Sequence, residues 1–294
     1  MTQKNCSICK SKLISKVHDE IREFKNDVYR CKNCETVFLN DYKSINYKED
    51  YGTKLFDSSW NVDKILSERS KSLKDVIKKI NDIIEKKNCN DILELGPGFG
   101  SSLIDLKKKN KTKNFFCLEQ NKNYISIIKN KTKTKIYSNL KNINKKFDLI
   151  YAIHFIEHIE NPVIFLKNLK KIIKKNGYLF LVTPNHDDFY MYSLPKNNLK
   201  KYKSFIYHAA HPFYYSKNSL NFILKKSGYF NNTISTDQDY SILNFMNWFS
   251  HGKPSENIST AKKIPKNIKK LDILFKKYIN ESDLGSNLWS ISIN

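Results

Sequence analysis

Asp91-Ile-Leu-Glu-Leu-Gly-Pro-Gly-Phe-Gly-Ser101 reads as a buried strand that runs into a glycine turn and opens a helix. Ile92, Leu93 and Leu95 form the short apolar run of a central parallel strand. Gly96, Gly98 and Gly100 follow, and they let the backbone turn tightly and approach a ligand with no Cβ in the way. Strand, glycine turn and helix N-terminus, in that order, form the cradle of a nucleoside cofactor in an open α/β sheet.

Three details select the nucleoside. The dinucleotide fingerprint spaces its glycines G-x-G-x-x-G around a pyrophosphate, whereas this chain has G-x-G-x-G with Ser101 in the place of the third glycine. Glu94, at the strand end, would repel phosphates and attract a cation such as a sulfonium bearing an α-amino group. Phe115-Phe116-Cys117-Leu118 reads as the next strand and closes on Glu119. That is roughly the ~20-residue offset at which a carboxylate accepts hydrogen bonds from ribose hydroxyls. The set favours S-adenosylmethionine over NAD, with Glu94, Gly96, Gly98, Gly100 and Glu119 as expected contacts.

The turn ELGPGFG, with an acidic residue closing the following strand, resembles the class I S-adenosylmethionine-dependent methyltransferases. Later segments extend the likeness. Phe147-Asp-Leu-Ile-Tyr-Ala-Ile-His-Phe-Ile-Glu-His-Ile-Glu-Asn-Pro162 looks like that family's fourth strand and turn, and Asn176-Gly-Tyr-Leu-Phe-Leu-Val-Thr-Pro-Asn185 like its fifth strand. His211-Pro-Phe and then residues 216–228 resemble a segment in which a histidine and an aromatic precede a helix ending in Gly-aromatic. The resemblance covers about residues 70–235. It implies an α/β, doubly wound, seven-stranded Rossmann-like sheet, with a sixth strand near 230–235 and a last, antiparallel strand near 288–293.

Cys6-Ser-Ile-Cys9 and Cys31-Lys-Asn-Cys34 are two C-x-x-C knuckles at the spacing of a zinc ribbon. Four thiolates would fill a tetrahedron, so the expected zinc is structural, and so short a module would depend on it for stability. Cys89 and Cys117 read as small buried hydrophobes. A ribbon, then Val37-Phe38-Leu39 and the aromatic stretch 42–51, then a glycine-turn methyltransferase resembles a subgroup of bacterial sugar and glycan methyltransferases. Larger carbon methyltransferases of this type carry a further C-terminal domain for which this chain has no room, so the resemblance implies an oxygen or nitrogen acceptor.

The expected organisation is a ribbon over 1–40, a tyrosine-rich connector over 41–62 able to fold over the cofactor, and a methyltransferase domain over 63–294. One helix is expected over 64–87, and another from Pro162 to about Lys175 with Gly177 as its C-terminal stop. The insertion 186–215, rich in Tyr, Phe and His, is the expected acceptor pocket. The insertion 236–286 is expected to carry a helix that packs on the domain or on a second copy in a homodimer, with a membrane-surface helix as the alternative. No apolar run approaches ~20 residues and no basic-then-apolar leader is seen, so a cytoplasmic protein without a membrane span is expected.

The formal net charge is +23, yet of 52 Lys plus Arg only Arg22, Arg30 and Arg69 are arginines. Arginine is the side chain that best reads phosphates and guanines, so the charge is read as a solvated Lys/Asn-rich surface that would still attract an anionic small substrate. An RNA acceptor, through counterion release, is the alternative. A non-catalytic S-adenosylmethionine-binding protein is the third reading.

On the acceptor side, His154, Glu157 and His158 stand at i, i+3 and i+4 and share a face if the turn is helical. His208 and His211 repeat an i, i+3 spacing in the insertion. His158 or His211 is the expected general base, supported by Glu157, while His154 contacts the cofactor. A divalent metal in the same cluster is the rival mechanism. The E-x-x-E-H turn of ubiquinone-pathway and small-RNA methyltransferases resembles His154-x-x-Glu157-His158, but a histidine replaces the first glutamate, which argues against magnesium. The expected acceptor is a small-molecule hydroxyl, on a sugar or nucleotide-linked sugar.

Overall fold

The computed structural model describes residues 5–41, 61–255 and 264–294. Most of the expected aromatic connector, residues 42–60, lies outside them. Strands β1 (Ile14–His18), β2 (Val28–Cys31) and β3 (Val37–Leu39) pair antiparallel in the N-terminal module. Both cysteine pairs sit in the same kind of tight turn. The Lys10 N–H donates to Cys6 O and the Glu35 N–H to Cys31 O, each at 2.9 Å. Lys10 and Glu35 share a left-handed backbone, with φ of 65° and 59°.

Helices α1 (Val62–Ser72) and α2 (Lys74–Lys86) replace the single helix expected over 64–87. The break at Leu73 has a packing cause. α2 buries Val76, Ile77, Ile80, Ile83 and Ile84 against the sheet, whereas α1 buries none of its residues. Strands and helices then alternate: β4 (Asp91–Leu95), α3 (Ser101–Lys109), β5 (Asn114–Leu118), α4 (Lys122–Thr132), β6 (Lys135–Tyr137), β7 (Phe147–Ile153), α5 (Pro162–Lys171) and β8 (Ile173–Pro184). The insertion 186–215 supplies α6 (Phe189–Ser193), α7 (Lys196–Ile206) and β9 (Phe213–Tyr214). After α8 (Lys217–Lys226) come β10 (Asn231–Asp237), α9 (Ile242–His251), α10 (Lys269–Glu281) and β11 (Asn287–Ile293).

The main sheet has the order β10-β11-β8-β7-β4-β5-β6, with β11 antiparallel to both neighbours. This is the expected seven-stranded α/β sheet. Side chains alternate between its faces, as a pleat requires. Leu93, Leu95, Ile150, Ala152, Leu179 and Leu181 share one core with residues of α5 and α8, while Ile92, Leu149, Tyr151, Phe180 and Val182 pack with α2 and α3. The chain turns from β4 toward β5 on one side and toward β7 on the other. Ligands in open α/β sheets bind at such a switch point, outside the carboxyl ends of the strands.

Two corrections concern α5 and β8. The helix stops at Lys171 rather than near Lys175, and the strand starts at Ile173, where it pairs with Phe147 before a register shift. Gly177 therefore lies inside the strand and stops no helix. A Cβ there would stand 2.7 Å from Ile173 Cγ2 and 2.9 Å from Lys174 O, so the irregular strand folds past itself only with glycine.

The N-terminal module is joined to the domain by more than its linker. β9 adds to it as a fourth strand, in the order β1-β2-β3-β9, with Phe38 opposite Phe213 and Val37 opposite Tyr214. Ile21, Val28, Phe38 and Leu39 share the core of Leu93 and Leu181. Among the described residues no helix is long and apolar enough to cross a membrane.

Candidate active site

At the end of β4 all three glycines take left-handed φ: 60° at Gly96, 56° at Gly98 and 84° at Gly100. A Cβ on Gly96 would stand 2.4 Å from the Phe155 ring, so the turn following β7 lies directly against the glycine turn. Glu119, closing β5, accepts from Gly98 N–H at 3.2 Å, Gln120 N–H at 2.8 Å and Asn121 N–H at 2.9 Å. Burial raises its pKa, against the pull of those three donors. Its carboxylate is thus held at the strand end beside the turn.

Glu94 lies beneath the turn. It is 2 % exposed, and Ser102 Oγ donates to Oε1 while the Tyr151 hydroxyl donates to Oε2 at 2.7 Å. Both oxygens tie β4 to α3 and β7. Burial pushes its pKa from 4.5 to about 7, against the two hydroxyl donors. The folded chain therefore holds the proton more tightly than the unfolded chain. The associated stability is complete below about 4.5 and lost as pH rises through about 7, a difference on the order of 3 kcal/mol at most. In urea titrations of the ligand-free protein, the wild type should lose about 1–3 kcal/mol between pH 5 and pH 8, and Glu94→Gln should lose measurably less. Parallel pH curves for the two proteins would contradict this assignment.

A cluster of histidines is built from β7, β8 and the 186–215 insertion. His154 leaves β7 with φ 51°, its N–H bonded to Val182 O at 2.8 Å. Left-handed backbone at a non-glycine residue is costly and concentrates at functional sites. The next turn, Ile156–His158, is 3-10 rather than α-helical. The expected face is kept in part: the His154 side chain is 41 % exposed and reaches back toward Glu157, which is 1 % exposed. Glu157 Oε2 accepts from Thr183 Oγ1 at 2.9 Å, whereas Oε1 lacks a hydrogen-bond partner and stands 3.5 Å from His154 Nδ1. Burial raises the Glu157 pKa, but His154 and His158 outweigh it and hold the carboxyl below its usual range. His154 mirrors this, since burial disfavours its cation and Glu157 raises its pKa overall.

His158 Nδ1 lies 2.7 Å from the Ala210 carbonyl, which can only accept, so this nitrogen carries the proton and Nε2 is the basic one. His211 packs on both other histidines, with ring centroids 4.6 Å from His158 and 3.8 Å from His208. Burial drives the His211 pKa far down and that of His208 to about 3, keeping both neutral. Glu157, His158 and His211 offer ligand atoms all within 4.8 Å of one another. Arg22, Tyr190, Tyr202, Phe205, Tyr240 and Trp248 line much of a cavity of about 160 Å³, whose walls include none of these cluster residues.

A family described as "Methyltransferase domain" matches residues 65–233, more than half of the chain. The chain belongs to this methyltransferase family. Among curated proteins it is 28% identical over 128 residues to the ubiquinone biosynthesis O-methyltransferase of Pelagibacter ubique (strain HTCC1062). That match covers 44% of this chain and only 38% of the relative. Among solved structures, the plantazolicin methyltransferase BpumL in complex with SAH is similar at a TM-score of 0.50 and 15% identity, over 86% of this chain and 97% of that one. A SAM dependent methyltransferase from Archaeoglobus fulgidus gives 0.46 at 16% identity, over 74% and 94%. The likeness to BpumL is one of fold. The matched region of this methyltransferase runs from α1 into β10, so the cysteine module and β11 lie outside it.

Several site residues of the methyltransferase escape a reading by motif. Tyr151 and Ser102 brace Glu94, Thr183 holds Glu157, and Phe155 covers Gly96. The three arginines are all engaged in specific contacts. In a chain that otherwise uses lysine, Arg22 bonds the Phe205 carbonyl, Arg30 forks onto Asp187, and Arg69 lies over the Phe99 ring within 3.5 Å of where a Gly98 Cβ would stand. Arginine serves where a planar, multi-donor cation is needed.

Proposed function

We propose that this methyltransferase carries a methyl group from S-adenosylmethionine to a hydroxyl of a small-molecule acceptor, with His158 as general base. The observation that carries the reading is the adjacency of two sites. The glycine turn touches Phe155, and three residues further on His158 meets Glu157 and His211. S-adenosylmethionine supplies an electrophilic methyl on a good leaving group. What remains for the chain is alignment and removal of the hydroxyl proton. Gly96, Gly98, Gly100 and Glu119 would hold the nucleoside, with His154 facing it, and Glu94 supports the turn from below. His158, pinned through Nδ1, takes the proton on Nε2, and buried Glu157 stabilises the resulting imidazolium. His208 and His211, kept neutral, orient it without adding repulsion.

The acceptor we propose first is a sugar or nucleotide-linked sugar. Support comes from the resemblance of the cysteine module and aromatic stretch to glycan methyltransferases and from the positive charge. Mass spectrometry after incubation with nucleotide sugars, catechols, amines and RNA should find one added methyl on a hydroxyl compound. Methylation of RNA or amines alone, or cofactor binding with no product, would replace this reading.

The clustering of Glu157, His158 and His211, whose ligand atoms lie within 4.8 Å of one another, favours a second mechanism, in which they hold a divalent cation that acidifies the hydroxyl. Two imidazoles and one carboxylate suit zinc, iron or manganese better than magnesium. Loss of turnover on chelation, restored by one of these ions, would select it. We assign a separate, structural zinc to Cys6, Cys9, Cys31 and Cys34. Tetrahedral Zn–S bonds of about 2.3 Å place sulfurs about 3.8 Å apart, close to the 3.6 Å of Cys6–Cys34 and the 3.5 Å of Cys9–Cys31.

A further inference from the structure

The segment that carries His208 and His211 is gripped from both sides by the cysteine module. On one side the backbone is continuous with the module's sheet: Leu39 N–H donates to Pro212 O at 3.1 Å, and β9 begins at the next residue. On the other, Arg22 N–H donates to Tyr207 O at 2.8 Å, and Glu23 Oε2 accepts from Ala209 N–H at 3.0 Å. A side-chain relay connects the same parts. Arg30, in β2, donates two bonds to Asp187, at 3.0 and 2.8 Å. His186 Nδ1 donates to Asp187 at 2.7 Å, and the Tyr207 hydroxyl lies 2.8 Å from His186 Nε2. Tyr207 packs edge-on against Tyr214, whose hydroxyl accepts from His208 N–H at 2.7 Å and donates to His208 O at 3.1 Å. His211 N–H in turn donates to His208 O at 3.0 Å.

We infer that the cysteine module is the scaffold of the acceptor side, and that Arg30 is a positioning residue that sets His208 and His211 over Glu157 and His158. Arg30 acts through Asp187, and the nucleoside cradle is left out of the relay. The side-chain bonds that tie Glu94 and Glu119 to the glycine turn, α3 and β7 involve no residue of the cysteine module. Lysine cannot replace Arg30 fully, because the relay starts from a fork of two parallel bonds onto one carboxylate. The inference rests on the reading that these histidines face the acceptor, so its test uses measurements other than turnover.

The test compares Arg30→Gln and Arg30→Lys with the full-length wild type by amide hydrogen exchange, by imidazole NMR of His158 and His211, and by calorimetry with S-adenosylhomocysteine. Loss of a doubly bonded charged pair should speed exchange across residues 207–215 by about tenfold or more in Arg30→Gln. The His158 and His211 resonances should shift or broaden, S-adenosylhomocysteine affinity should stay within about twofold, and Arg30→Lys should fall between. Wild-type exchange and imidazole spectra in Arg30→Gln would overturn the inference. So would faster exchange throughout the main sheet with parallel loss of S-adenosylhomocysteine binding, since that is a general loss of fold. If His158→Ala leaves turnover unchanged, the acceptor-side reading fails while these measurements still report whether the relay exists.

Discussion

His158→Ala is expected to lower kcat for the hydroxyl acceptor by about 10²- to 10⁴-fold, the usual range for removing a general base, with affinity for S-adenosylhomocysteine unchanged. Two features make His158 hard to replace. Its tautomer is fixed by the Ala210 carbonyl at 2.7 Å, so Nε2 is presented without reorganisation. Its neighbours are poor substitutes, because burial has lowered His208 to about 3 and His211 far below its ordinary value, leaving both too weakly basic to accept the proton efficiently. His211→Ala should therefore cost less than His158→Ala, through lost packing at a ring distance of 4.6 Å. Stopped-assay kinetics on both variants check this. Equal losses, accompanied by sensitivity to chelators, would point to the metal mechanism instead, and an unchanged kcat in His158→Ala would remove it from catalysis.

The second large effect is expected at the cysteine cluster. Cys31→Ser removes a buried thiol from a set whose sulfurs all lie within 4.8 Å. Structural zinc contributes on the order of 10 kcal/mol to the folding of small zinc modules at neutral pH, and this module has few apolar residues of its own beyond those that reach the domain core. The variant should lose its bound zinc, become sensitive to protease within residues 5–41 and melt at lower temperature, while the glycine turn still binds S-adenosylhomocysteine. Metal analysis and limited proteolysis together make the measurement. A wild-type protein that holds no zinc yet resists protease equally would contradict the assignment.

The main sheet was legible because its determinants are local. Ile92, Leu93 and Leu95 before three glycines announce a strand and its turn, and β10 and β11 fall close to their expected positions. Elements fixed by distant partners were not. Two residues at Phe213–Tyr214 carry no strand pattern of their own, and they become β9 only because β3 offers an edge about 175 positions earlier in the chain. Gly177 looked like a helix stop because glycine serves both left-handed caps and close backbone approach, and only the packing of Ile173 shows which applies. Glu94 was readable as a carboxylate at a strand end, yet its bonds to Ser102 and Tyr151 depend on how α3 and β7 cross beneath the turn. The histidine spacings were visible, whereas the meeting of His158, His208 and His211 involves the 207–215 segment, which is tied to the cysteine module.

The most direct test is calorimetric titration of the full-length protein with S-adenosylhomocysteine, for the wild type and for Glu119→Ala. The expected result is one equivalent bound per chain with a Kd of about micromolar or tighter. Loss of the Glu119 carboxylate should weaken binding by about tenfold or more, and NAD should give no heat. Absence of S-adenosylhomocysteine binding, or binding of NAD in competition with it, would contradict the assignment of the glycine turn as the cradle of a methyl donor.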